Sequence, residues 1–294
     1  MDIRRAEHWL ERHGRAVDQA TIAYVISGEI EPLYDALTPY ANKDGGFGHA
    51  LEPDVRLADS SILATTVALQ LLAMCGATCD NNLVANAMSY LAGTMQSDVD
   101  AWQIVPENVG DAAHAPWWKF KDIDGNMINP RAEIVGYMYR WPGFFDSSLV
   151  DKITRDIDGY MTNAEQLEIH DLLCLDRMLL SPGYPTQLLA SQSSKFYELA
   201  KQMVSTDAAE WDHYGLTPLT VVRTPDHPLA PVLRLAIGEN FRYLATKQDG
   251  DGSWAPSWSW YGNYEDEWKI AEIEIRSKIV ADNLCLAHHF GKRA

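Results

Sequence analysis

Residues 42–72 read NKDGGFGHALEPDVRLADSSILATTVALQLL, and this stretch decides the fold. Asp44-Gly45-Gly46 spells a turn, because adjacent glycines reach positive φ without a Cβ penalty and Asp closes such turns onto its own backbone. Phe47 follows as an aromatic anchor. The polar run Leu51-Glu52-Pro53-Asp54-Val55-Arg56 then crosses to Ser60 and Ser61, both suited to cap a helix. From Ile62 to Met74 apolar residues recur at helical spacing and bury one broad face.

The same order returns near the other end as Tyr243-Leu244-Ala245-Thr246-Lys247-Gln248-Asp249-Gly250-Asp251-Gly252-Ser253-Trp254. A worn copy lies between, with Tyr90-Leu91-Ala92 followed by Gln96, Asp98, Asp100 and Trp102. Repetition of this kind marks helix pairs that bury their apolar faces against neighbours. At these turns the chain resembles the α/α-toroid superfamily of terpenoid cyclases and protein prenyltransferases, with squalene-cyclase-like repeats. Their helix pairs are joined by Gln…Asp-Gly…Gly…Trp or Phe turns. The resemblance implies an all-α fold, an α/α toroid in which helical hairpins close into a barrel around a central cavity. It also implies an apolar, isoprenoid small-molecule substrate and an isomerase- or lyase-type reaction.

The helical pattern extends along the chain in short segments: 2–13, 15–27, 30–40, 62–74, 82–94, 132–139, 147–161, 164–180, 187–204, 232–246 and 268–290. Short breaks between them predict antiparallel neighbours. Residues 102–130 and 211–231 are irregular, the second holding Pro218, Pro225, Pro228 and Pro231. No alternation of period two is present, so no sheet is expected. The 294 residues contain no Ser/Gly-rich or low-complexity linker, and a single domain over 1–294 is expected.

A formal charge of −17 argues against a nucleic-acid partner and an anionic membrane surface, both of which reward basic patches. No apolar signal core opens the sequence and no apolar run is long enough to span a bilayer, so a cytoplasmic protein without a membrane segment is expected. The four cysteines, Cys75, Cys79, Cys174 and Cys285, are too few and scattered for a disulfide framework.

Candidate chemistry concentrates in three places. Glu52 and Asp54 stand two apart on the crossing, with His49 before and Arg56 after. Close carboxyls in a desolvated pocket push one pKa up and create a general acid, although pairing with Arg56 or helix capping would serve structure alone. His114, in His114-Ala115-Pro116-Trp117-Trp118, is a candidate acid or base at neutral pH. The loop 253–264 carries Trp254, Trp258, Trp260, Tyr261 and Tyr264, more rings than one turn needs. Trp258 and Trp260 share a side if that loop is extended. With Trp117 and Trp118, the rings Trp254, Trp258, Trp260 and Tyr261 are candidates for binding an apolar substrate or a developing carbocation. The same rings also suit a purely structural clamp between the first and last repeats.

Protonation-type members of the superfamily carry Asp-x-Asp-Asp. The nearest strings here, Asp122-Ile123-Asp124-Gly125 and Asp156-Ile157-Asp158-Gly159, lack the final Asp, and no Asp-Asp-x-x-Asp occurs. His170 with Cys174, and Cys285 with His288 and His289, have helical spacing compatible with zinc, but both cysteines lie among leucines as inert core thiols do. No phosphate loop, nucleophile elbow or dinucleotide fingerprint occurs, and neither a metal nor a cofactor is expected. A non-catalytic toroid that binds or scaffolds, and a carbohydrate-active α/α barrel using stacked rings and paired carboxylates, are the alternatives.

Overall fold

The computed structural model describes residues 1–123 and 127–292. Within them the chain is helical, with α1 (Ile3–His13), α2 (Ala16–Ser27), α3 (Glu31–Leu37), α4 (Ile62–Met74), α5 (Asn82–Thr94) and α6 (Arg131–Arg140) in the first half. The second half holds α7 (Ser147–Asn163), α8 (Ile169–Leu179), α9 (Thr186–Met203), α10 (Pro218–Val221), α11 (Arg234–Lys247) and α12 (Glu265–His289). Among the described residues β-pairing is confined to isolated bridges. No helix there is long and apolar enough to cross a membrane.

Local chemistry sets the starts of these helices. Asp2 caps α1 by accepting from the Arg5 amide at 3.1 Å, and Ser61 caps α4 by accepting from Ala64 at 3.0 Å. Glu168 caps α8 through the amides of His170 and Asp171, so the helix expected from residue 164 begins at Ile169. At the other side, Glu265, Asp266 and Glu267 form the first turn of α12, where negative charge meets the positive end of the helix dipole. The expected start at 268 is therefore one turn late.

Consecutive helices pack as the pairs α1–α2, α2–α3, α4–α5, α6–α7, α8–α9 and α10–α11, while α4 touches α6, α6 touches α8, α7 touches α9, and α12 touches both α1 and α2. The main core gathers apolar faces from α2 through α11, with Leu33, Leu69, Met88, Ile134, Leu175 and Phe196 among its buried members. A second cluster joins α1 to α12 through Ala6, Trp9, Leu10, Trp254, Val280 and Leu284. Polar bonds reinforce this junction. The Gln248 side chain accepts from the Asp2 amide at 2.6 Å and donates to the Asp2 carbonyl at 2.9 Å, across 246 residues.

The three turns prove to be one structure. In the first, the Asn42 amide donates to Gly46 O at 2.9 Å and Gly45 N to Asn42 O at 3.1 Å. In the last, Asp249 N donates to Ser253 O at 2.8 Å and Gly252 N to Asp249 O at 2.9 Å. Asp44 and Asp251 accept from the amides of Gly46 and Ser253 at 3.0 and 2.9 Å. Glycine is required in both, since Gly45 and Gly252 have φ of +93° and +102° and a Cβ would lie 2.5 Å from Asn86 O or Arg5 O.

The worn middle copy follows the same plan with one more residue. Gln96 N donates to Ala101 O at 2.9 Å, and Asp100 takes the left-handed conformation, φ 48°, in place of glycine. Its tryptophan also behaves alike. Trp102 Nε1 donates to Leu91 O at 2.7 Å, and Trp254 Nε1 to Leu244 O at 2.8 Å, each latching the ring onto the preceding helix.

Candidate functional site

The crossing between the first turn and α4 is held from three sides. Arg15 at the start of α2 donates to Leu51 O at 2.9 Å and pairs with Asp18 at 2.7 Å, both side chains buried. Ser277 of α12 completes that knot, donating to Asp18 at 2.6 Å and accepting from the Arg15 amide at 2.9 Å. Further on, Ala115 N donates to Asp54 O and Arg56 N to Ala113 O, both at 2.8 Å, so residues 54–56 lie antiparallel to 113–115. Arg56 pairs with Glu274 of α12. The expected alternative, Arg56 against Glu52 or Asp54, is not the arrangement formed.

Backbone strain collects here. Among the described residues five non-glycines have positive φ, and four of them flank the site: His49 (54°) and Ala50 (60°) before Glu52, Tyr261 (53°) and Tyr264 (48°) after Trp260. Each such residue costs on the order of 1–3 kcal/mol, which surrounding structure must hold in place, and such residues cluster at functional positions.

Asp54 is buried, with one oxygen anchored and one unengaged. Oδ1 accepts the indole N–H of Trp260 at 2.7 Å and, more weakly, that of Trp258 at 3.5 Å. Among the described residues nothing bonds to Oδ2. Burial pushes this carboxyl up, and the two indole donors, which favour the anion, pull against it. Glu52 is raised by burial and then by the charge of Asp54, while Lys278 and Arg15 draw it down. The indole donors favour an anion on Asp54, and that anion favours a proton on Glu52. Such an arrangement provides a base and an acid two residues apart.

His114 Nδ1 donates to Ala112 O at 2.8 Å, which fixes the orientation of the ring. Its ring packs at 5.6 Å from that of Tyr264, which in turn stands edge-on to Trp260. Trp258 and Trp260 thus do share a side, and Asp54, His114, Trp258 and Trp260 belong to one neighbourhood. Trp118 wedges between the small clusters around Trp260 and around Val55, its buried indole N–H without a partner among the described residues. Trp117 is 40% exposed and Tyr261 75% exposed, so both face solvent. Trp254 is elsewhere, in the α1–α12 junction.

Other sequence candidates have structural partners. Asp156 pairs with Arg131 at 2.9 Å and Asp158 accepts from Gln192 at 2.7 Å, whereas Asp124 and Gly125 of the first string lie outside the described residues. Cys174 is buried against Glu133, and Cys285 in the α1–α12 cluster. No group of three or more His, Cys, Asp or Glu side chains among the described residues is arranged to hold a metal ion.

Sequence patterning did not single out the cations of this region. Lys278 and Asp282 of α12 pair at 2.8 Å, and Arg223, from the proline-rich segment, reaches the same carboxylate at 2.8 Å. The i, i+4 spacing of Lys278 and Asp282 was the available signal. Arg223 gave none.

A scan of protein-family models, a search of curated proteins and a search of solved structures return no match to this chain.

The raised carboxyls set a sign for pH dependence. A carboxyl whose folded pKa exceeds its unfolded one adds stability below the unfolded value, and this is lost as pH rises through the folded one. Glu52→Gln is therefore expected to unfold at higher urea than the parent at neutral pH, the gap closing below the ordinary carboxylate range. Asp282, held down to about 2 by Lys278 and Arg223 against the effect of burial, has the opposite sign. Asp282→Asn is expected to cost stability at neutral pH, and a urea series for both variants checks the pair.

Proposed function

We propose that this chain is an α/α-toroid enzyme related to the terpenoid cyclases, using Glu52 and Asp54 for general acid/base chemistry on an apolar, isoprenoid-like molecule. The observation that carries it is Asp54, with Oδ1 anchored by indole N–H groups and Oδ2 unengaged. Those donors favour the Asp54 anion, whose unengaged Oδ2 takes a proton while the neighbouring Glu52 carboxyl supplies one. The exposed faces of Trp258 and Trp117 supply apolar surface at the rim.

The toroidal architecture is supported by three features already described. The even-numbered helices touch in the pairs α4–α6, α6–α8 and α2–α12, three turns share one hydrogen-bond plan, and Gln248 ties the last turn to the first helix. Two concentric layers of helices around a cavity account for all three.

A second reading, acid/base attack on a polyhydroxylated carbohydrate, is favoured by one specific feature. Trp258 and Trp260 aim their N–H edges at the carboxylate, while Arg56–Glu274 and Lys278–Asp282 add charge nearby. Mass spectrometry of solvent extracts of natively purified protein separates the readings. An isoprenoid supports the first and a glycan the second, in each case provided the protein converts the molecule recovered. A protein that converts neither class is a binding or scaffold toroid, and the enzymatic proposal fails.

A further inference from the structure

Arg234, Ile237, Gly238 and Phe241 stand at positions i, i+3, i+4 and i+7 and therefore share one face of α11. A cavity of about 370 Å³ lies over that face. Pro225 and Pro231 of the proline-rich segment, with Phe290 and Lys292 at the end of α12, complete its walls. That end is fixed in place, since Gly291 closes the helix at φ of +64° and Lys292 N donates to Ala287 O at 2.8 Å. Phe241 and Phe290 meet edge-on at 5.5 Å, and Lys292 Nζ stands 5.1 Å from the centre of the Phe241 ring.

Glycine inside a helix costs stability relative to alanine, and it is kept where φ is positive or where another part of the chain presses close. Neither condition holds at Gly238, where a Cβ would meet no atom within 4 Å. The side chain that could fill this hollow is missing without a packing reason, and a local rule broken with no structural gain points to a site. Charge points the same way. The chain holds 41 Asp and Glu residues, yet none lines the cavity. Among the described residues Arg234 and Lys292 have no carboxylate partner, while Glu239, beside Gly238 in sequence, is taken up by Arg242.

We propose that this cavity binds a small apolar carboxylate, its anionic end on the Arg234 guanidinium and its body over Gly238 against Ile237, Phe241 and Phe290. A carboxylate offers two oxygens to the planar fork of an arginine, and the apolar walls take the rest of the molecule. From Arg234 to Phe241 the helix rises about 10 Å, a length that one ring on a short tail covers. The volume lies at the small end of the range for small-molecule sites, about 300–1,000 Å³, which agrees with so small a ligand. Lys292, already placed over the Phe241 ring, adds a second positive charge and not a second fork. No lining residue belongs to the Glu52–Asp54 site, so this proposal stands apart from the acid/base assignment.

The test is calorimetric titration of the full chain with 3-phenylpropanoate, 3-phenylpropanamide and phenyl phosphate at low ionic strength. The carboxylate is expected to bind roughly tenfold tighter than its amide, the scale of a charge-assisted hydrogen bond over a neutral one, and tighter than the phosphate. Arg234→Met should erase most of the difference between acid and amide, and Lys292→Met a smaller part. Gly238→Leu should abolish binding of both while its urea midpoint stays at or above that of the parent, because leucine favours the helix more than glycine does and its Cβ has room. Lost binding with folding unimpaired is a result that a purely structural role would not produce. No binding of the carboxylate, equal affinity for acid and amide, tighter binding of phenyl phosphate, or indifference to Arg234→Met overturns the site. Binding that survives Gly238→Leu places the ligand elsewhere and overturns it too, and a Gly238→Leu midpoint below the parent's refutes the open space on which the proposal depends.

Discussion

Asp54→Asn is expected to lower turnover of the molecule recovered by extraction by about 10²–10⁴-fold, the usual contribution of a positioned acid or base. The substitution is nearly isosteric. An asparagine oxygen still accepts from Trp260 Nε1, which now stands 2.7 Å from Asp54 Oδ1, so the aromatic loop keeps its anchor. What disappears is a titratable oxygen at the position of Oδ2. A fall in kcat with little change in KM identifies a group that acts in the transition state, whereas a rise in KM alone would mark it as a binding residue. Glu52→Gln provides the comparison. Glu52, as the protonated partner, sets the alkaline limb of the pH–rate profile, on which activity falls as pH rises, and Glu52→Gln is expected to remove that limb. Full turnover in both variants would eliminate the pair as the reacting groups.

The second large effect falls on stability. Trp254→Ala is expected to cost about 3–5 kcal/mol, the range for removing a buried large ring together with the cavity it leaves. A domain of ordinary stability has roughly 5–15 kcal/mol in total, so this one change approaches the limit of folding. Trp254 is 3% exposed and packs with Trp9, Leu10, Val280 and Leu284, where α1 meets α12. It also satisfies the carbonyl of Leu244. Trp254→Phe keeps one aromatic ring but loses the N–H and the volume of the fused ring, so its cost is expected to fall below that of Trp254→Ala while exceeding the roughly 1 kcal/mol of a hydrogen bond alone. Trp117→Ala, at a ring 40% exposed, is the control and should shift the urea midpoint little. A Trp254→Ala protein within 1 kcal/mol of the parent would show that the junction does not depend on this latch.

The elements most legible in the sequence were those governed by local rules. Ser61 before an apolar run located α4, and paired glycines located the first and last turns, because capping and positive φ are decided within a few residues. The middle turn looked worn for a local reason too. Asp100 performs the left-handed step in place of glycine, and one additional residue shifts the spacing, while Trp102 retains its latch on α5. Glu168 was missed as a cap because glutamate seldom serves there.

The site was legible only as separate pieces. Glu52, Asp54, His114, Trp258 and Trp260 all drew attention, but the bond from Trp260 to Asp54 spans 206 residues and no periodicity encodes such a distance. The same holds for Arg56, which sits two residues from Asp54 and finds Glu274 at a separation of 218. Proximity in sequence suggested a partner that folding did not supply.

The bond between Gln248 and Asp2 has a consequence for synthesis. Translation releases α1 long before its cover, since the surface over Trp9 and Leu10 belongs to residues from Trp254 onward. Those apolar side chains wait, uncovered, until α12 has emerged from the ribosome, so this junction cannot form in the order of extrusion. Helix α1 docks late, and chaperone demand during biosynthesis should centre upon it.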